Sequence, residues 1–164
     1  MGKLSGKIAI VTGSDSGIGQ AMVRAFAREG ASVVITWRSD EENAQQTAEQ
    51  IRQAGGRCLV CQLDVTDPAS VRALFQRVAA ELGVPDILVN NAGIGQDKPF
   101  TELSYEKFDS IHRTYLYGPY LCTREYPLRR QLMKQHTAAA IRTIAEIMSV
   151  AGVQRNVMWS FQSM

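Results

Sequence analysis

Residues 7–19 read KIAIVTGSDSGIG, an apolar run that passes directly into a turn with three glycines in seven residues. The unbroken Ile8-Ala9-Ile10-Val11 shows no polar alternation, so it predicts a strand over Lys7–Thr12 buried on both faces, as in a parallel sheet. From about Ile18 the residues Met22, Val23, Ala25 and Phe26 recur at helical spacing, and Gly30 supplies a stop. Glycine lacks the Cβ that keeps a backbone away from its neighbours. A strand, a glycine turn and a helix in that order also aim the unpaired N–H groups and positive dipole end of the helix at the turn, which suits a phosphate. The spacing here is G-x-x-x-G-x-G, which is neither G-x-G-x-x-G nor a P-loop, because no Gly-Lys-Ser/Thr follows. Taken alone, the turn also fits tight strand–helix packing with no ligand.

Further along, the same unit repeats. Ser32–Thr36 predicts a second strand, a capping box Ser39-x-x-Glu42 opens the next helix, and Gly55-Gly56 ends it. A third strand, Cys58–Leu63, runs into Asp64-Val65. Thr66-Asp67-Pro68 then gives a cap and a first-turn proline to a helix over Ala69–Leu82. Its Val71, Leu74, Phe75, Val78, Ala79 and Leu82 form one apolar stripe, and Ile87–Val89 predicts a fourth strand. This alternation predicts an α/β fold, a doubly wound parallel sheet. After Ser104 the pattern is helical with Phe108, Ile111 and Leu116 inward, interrupted at Pro119 and Pro127. Propensity predicts a further helix over 137–148.

The bulk properties narrow the class. A chain of 164 residues, with 45% hydrophobic and 21% charged, suits one domain with one core. A net charge of +2, from 18 basic and 16 acidic residues, argues against nucleic acid or an anionic membrane as partner. The start, MGKLSGK, has no apolar signal core and no run is long enough to span a bilayer, so the expected compartment is cytoplasmic. Cys58 and Cys61 form a C-x-x-C within RCLVCQL. Strand residues three apart point to opposite faces, so no shared metal is expected there, and Cys122 reads as a small buried hydrophobe.

Three more stretches bear on the ligand. Arg38-Ser39, Asp64-Val65 and Asn90-Asn91-Ala92-Gly93 follow the second, third and fourth strands, at the carboxyl ends where open α/β sheets bind ligands. With T-G-x-x-x-G-I-G at 12–19, Asp64 and N-N-A-G at 90–93 in this order and spacing, the chain resembles the short-chain dehydrogenase/reductase family. Its wording is most similar to bacterial glucose-dehydrogenase-like members. The resemblance is strong over residues 5 to about 125 and poor over 126–164, within one dinucleotide-binding domain.

It implies a Rossmann-type sheet, C-terminally incomplete relative to the family. It also implies a pyrophosphate at Gly13, Ser14, Asp15, Ser16, Gly17, Ile18 and Gly19. Asp64 and Val65 would border the adenine, while Asn91, Ala92 and Gly93 would line the cofactor path. A carboxylate ending the second strand would accept ribose hydroxyls and repel a 2′-phosphate. Here Trp37 and Arg38 stand there instead, and a guanidinium matches a phosphate, so NADP is expected. Asp40 nearby keeps NAD open.

Hydride transfer to a carbonyl needs a proton donor at its oxygen. The family uses a tyrosine made acidic by a lysine four residues later, a cation that favours phenolate, with a serine and an asparagine. IMSVAG at 147–152 resembles the family's fifth-strand end and places the serine at Ser149, although the helical pattern over 137–148 conflicts with a strand. The tyrosine position then holds Gln162, the lysine would fall two residues past Met164, and the asparagine position holds Tyr115. No Tyr-x-x-x-Lys occurs in the chain; Tyr120-x-x-x-Arg124 and Tyr126-x-x-x-Arg130 both precede Ser149. The expectation is an oxidoreductase of this family for a sugar or small alcohol/carbonyl pair, binding cofactor but with little or no turnover by this chain. The alternatives are a non-catalytic nucleotide-binding protein, or a derivative that associates with a second copy through an exposed sheet edge.

Overall fold

Four apolar runs become the strands of one parallel sheet: β1 (Ile8–Val11), β2 (Ser32–Trp37), β3 (Cys58–Gln62) and β4 (Ile87–Val89), ordered β3-β2-β1-β4. The computed structural model describes residues 2–95 and 99–130. Register pairs Val11 with Ile35 and with Val89, so the strands end together on one side of the sheet. Between them run α1 (Gly17–Arg28), α2 (Glu41–Gln53) and α3 (Pro68–Glu81). A 3₁₀ turn (Phe100–Glu102) leads into α4 (Tyr105–His112), a π-helical segment (Arg113–Tyr117) and α5 (Gly118–Arg130).

Side chains alternate along a strand, so each face has its own core. Ile10, Val34, Leu59 and Cys61 pack against Val71, Leu74, Phe75 and Val78 of α3 and against Cys122 of α5. Ala9, Val11, Val33 and Ile35 lie on the opposite face and are fully buried. There α1 and α2 cover them with Val23, Phe26, Ala44, Ala48 and Ile51. Burial on both faces explains why the strands carry no polar alternation. The start of the sheet is tied by Asp86, which accepts from the Ile8 amide at 3.0 Å and pairs with Lys7 at 3.3 Å.

Two expectations are corrected. The N-cap of α2 is Asp40, not Ser39: its carboxylate accepts from the Asn43 amide at 3.0 Å and from the Asn43 side chain at 2.6 Å. A carboxylate with two oxygens outcompetes the neighbouring hydroxyl, and Ser39 stays exposed. In the last helices Phe108 and Leu116 face outward, Leu116 with 62% of its surface exposed, while Thr114, Gly118 and Cys122 are buried at intervals of four. The helix continues through Pro119 and Pro127. Pro119 falls in the first turn of α5, immediately after the π segment, and the wide turn absorbs the backbone bond that proline cannot make. The segments 137–148 and 147–152, with Ser149, lie outside the described residues.

Candidate functional site

The glycine turn joins β1 to α1 at the carboxyl edge of the sheet, and its glycines answer different demands. Gly13 and Gly17 have φ of +61° and +53°, the left-handed region that side chains avoid. Gly19 has ordinary φ, but a Cβ there would sit 2.3 Å from the Gly13 carbonyl oxygen and 2.5 Å from Asn91 Nδ2. Around Gly17 a Cβ would meet nothing within 4 Å. Gly19 is therefore closed against protein, whereas Gly17 opens outward.

Beneath the turn lies a buried hydroxyl network. The Gly13 amide donates to Thr36 Oγ1 at 2.8 Å, the Thr36 amide donates to Ser14 Oγ at 2.9 Å, and Ser14 Oγ donates to the Val11 carbonyl at 2.8 Å. Ser14 is fully buried, so its side chain supports the turn from below instead of facing a ligand. Thr12 Oγ1 accepts from the amides of Asn91 and Ala92, both at 2.9 Å. Asn91 Nδ2 returns to the carbonyls of Thr12 and Gly13 at 3.0 and 2.8 Å. The loop after β4 and the glycine turn thus form one hydrogen-bonded body. Thr12 and Thr36 were not among the expected site residues; the available signal is a threonine following the apolar core of two adjacent strands.

At the entrance to α1 the pattern reverses. Ser16 is the N-cap yet makes no side-chain cap hydrogen bond, and the first turn contains no acidic residue. Ile18, the next residue but one, has 66% of its surface exposed. Asp15 uses its carbonyl to accept from Gln20 Nε2 at 3.2 Å. An exposed apolar side chain beside free N–H donors and an open glycine makes a surface that fits a diphosphate flanked by a nucleoside.

Beyond the turn, at the ends of β2 and β3, Arg38 Nε lies 3.4 Å from Asp64 Oδ2. Burial pushes the Asp64 carboxyl up, but hydrogen bonds from the Thr66 hydroxyl and amide, helped by Arg38, hold it below its ordinary value. Arg38 remains exposed over 61% of its side chain, free to meet an anion from solvent. Val65 turns its side chain into the core, where a Cβ on Gly118 would come within 2.9 Å of its Cγ2. Only its backbone is left for a ligand. Asp40, the residue that kept NAD open, has its carboxylate engaged on Asn43.

The two strand cysteines part company. Cys58 Sγ lies against the Ala48 carbonyl of α2 at 3.6 Å, and Cys61 is buried in the α3-side core. Burial pushes both thiols up and takes Cys122 to about 12. Protonated thiols on opposite faces are poor nucleophiles and poor shared ligands.

Glycine turn, open helix N-terminus and polar strand ends on one parallel sheet define a Rossmann-type nucleotide-binding protein. The family model for short chain dehydrogenases matches residues 7–163, and the chain belongs to that family. It is 41% identical over 144 residues to the probable oxidoreductase EphD of Mycobacterium tuberculosis, covering 88% of this chain and 24% of that protein. A short chain dehydrogenase from Burkholderia cenocepacia, solved in complex with NADP, superposes with a TM-score of 0.74 at 35% identity. That match covers 77% of this chain and 52% of the other. A blue fluorescent protein from a metagenomic library, in complex with NADPH, gives 0.71 at 31% identity over 76% and 51%. The chain therefore spans about half the length of these solved relatives.

Proposed function

We propose that this chain is the cofactor-binding part of an NADP(H)-dependent oxidoreductase acting on a sugar or another small alcohol/carbonyl pair. The observation that carries the reading is the N-terminus of α1, left without cap or acid beneath an outward-opening Gly17. The first-turn amides after Ser16 bind the pyrophosphate, with Gly17 allowing the close approach, Gly13 and Gly19 letting the turn pack on Ala92 and Asn91, and Asp15 and Ile18 flanking the ligand. Arg38 takes the 2′-phosphate, and capture of Asp40 by Asn43 leaves that end without a free carboxylate to favour NAD. Asp64 and the Val65 backbone border the adenine. Asn91, Ala92 and Gly93 carry the path to the other nucleoside. NADP(H) bound in these relatives supports the choice.

Bound NADP(H) supplies the hydride; this chain's residues hold it, orient it and keep the turn rigid. Ser149 is the residue assigned to the substrate oxygen, and Gln162 at the tyrosine position has no acidic proton to give it. The chain alone therefore binds cofactor with little or no turnover. We extend the reading to a cytoplasmic protein that self-associates; no described helix is long and apolar enough to cross a membrane, and among the described residues β4 pairs on one side only.

Fluorescence titration with NADPH and NADH, paired with a glucose-oxidation assay on the same sample, tests this. Saturable NADPH binding without turnover is expected. Arg38→Asp is expected to weaken NADPH by about 100-fold while sparing NADH, because it replaces a phosphate partner with a repelling charge. Equal affinity of wild type and variant for NADPH would remove Arg38 from its role.

A further inference from the structure

We infer that Tyr115, carried on the π-helical segment, is a positioning residue that latches the loop after β4 beneath the nicotinamide half of the cofactor. The inference rests on the cofactor reading above. The strand order supplies the direction. Arg38 and Asp64 stand at β2 and β3, the pyrophosphate turn follows β1, and β4 lies on the far side. A dinucleotide with its adenosine end at Arg38 must run its other nucleoside over the loop that follows β4.

That loop is held at two points. On the inner side Asn91 bonds to Thr12 and Gly13. On the outer side the Tyr115 hydroxyl donates to the Ile94 carbonyl at 3.0 Å. Gly93 sits between the two, and a Cβ there would meet Tyr115 Oη at 2.7 Å and Cε1 and Cζ at 3.1 Å. Gly93 is not in the left-handed region, so what it supplies is room for the phenol ring. Tyr115 is half exposed, which gives the ring no large part in the core. Its neighbour Thr114 is buried and donates to the Ser110 carbonyl at 2.9 Å, anchoring the wide turn on the inner side. π-turns of this kind interrupt a helix to re-aim one residue, and here that residue reaches across to the loop.

A latch of this sort acts on one half of the ligand. NADPH spans both halves of the site, whereas adenosine 2′,5′-bisphosphate has the adenosine and 2′-phosphate but no nicotinamide. On the full chain, Tyr115→Phe is expected to weaken NADPH about fivefold, the worth of one hydrogen bond, and to leave adenosine 2′,5′-bisphosphate unchanged. Gly93→Ala, which pushes the ring away without altering Tyr115, is expected to give the same split. The double variant should be less than additive, because both substitutions break one contact. Thermal unfolding of each variant verifies that it folds. Equal weakening of both ligands would make Tyr115 a general support of the fold and overturn the latch, as would unchanged NADPH affinity in both single variants. A wild-type chain that binds neither ligand overturns the cofactor reading itself, and the latch with it.

Discussion

Helices α1 and α3 begin under the same obligation and meet it in opposite ways. Each leaves unpaired N–H groups in its first turn. At α3 the obligation is settled internally: Asp67 accepts from the amides of Ala69 at 3.0 Å and Ser70 at 3.1 Å, and Pro68 brings no N–H at all. Asp40 does the same for α2, and Ser104 for α4. At α1 the N-cap serine makes no such bond and the first turn holds no acid. A carboxylate cap contributes about 1 kcal/mol, so leaving it out is a cost to the folded chain. Three helices are finished with their own side chains, and the one beneath the glycine turn leaves its donors open, as the proposed pyrophosphate site requires.

The strongest way to break the contrast is to close the turn itself. In Gly19→Ala the new methyl would meet the Gly13 carbonyl oxygen at 2.3 Å. That oxygen has little freedom, because it accepts from Asn91 Nδ2 and its own amide is bound to Thr36. The turn must shift as a whole, at about 3 kcal/mol of stability, an overpacking cost of the upper range. NADPH affinity is expected to fall by about 100-fold or more as the donors lose alignment. Urea unfolding and NADPH titration measure the two effects; a variant unchanged in both would mean that the turn is looser than its hydrogen bonds imply.

A smaller change sharpens the contrast by exchanging the roles of the two helices. Ser16→Asp gives α1 the kind of cap that α3 has, and is expected to raise stability by about 0.5–1 kcal/mol. It should also weaken NADPH about tenfold, because the carboxylate occupies the donors and repels the pyrophosphate. The reciprocal Asp67→Ala should cost about 1 kcal/mol with NADPH affinity unchanged. If Ser16→Asp strengthened cofactor binding, the open N-terminus would not be the anion site.

The features that sequence made visible are the ones set by short-range patterns. Strand β4 runs over Ile87–Val89 as expected, and α3 over Pro68–Glu81 differs by one residue at each end. Apolar runs, caps and glycines act within a turn or a strand, so one chain read linearly is enough to place them. Site residues brought together by motif spacing alone, Gly13, Gly19 and Asn91, do meet in space. The roles of Thr12, Thr36 and Ser14 depend on the alignment of β1 with β2 and β4, which no local pattern encodes. Helical spacing at 3.6 residues per turn places Leu116 inward, and the π segment breaks that spacing between Arg113 and Tyr117. Ser39 and Asp40 compete for one cap position, and composition could not say which would win.

The mildest test concerns Asp64, the carboxylate opposite the glycine turn. Burial raises its pKa, but the two hydrogen bonds from Thr66 and the charge of Arg38 outweigh this, so the folded value lies below that of an ordinary aspartate. A carboxyl whose folded pKa is depressed adds stability above its unfolded pKa and loses it as pH falls through the folded value. Wild type should therefore exceed Asp64→Asn in stability at pH 7, with the gap closing below about pH 4. The gap is small, because Asp64 and Arg38 both reach solvent and salt screens them. Unfolding of both proteins in urea, from pH 7 down to the acid limb and at two salt concentrations, measures it. A gap that stayed constant through the acid range would show that it does not arise from the Asp64 charge, and that Thr66 holds the protonated carboxyl as well as the carboxylate.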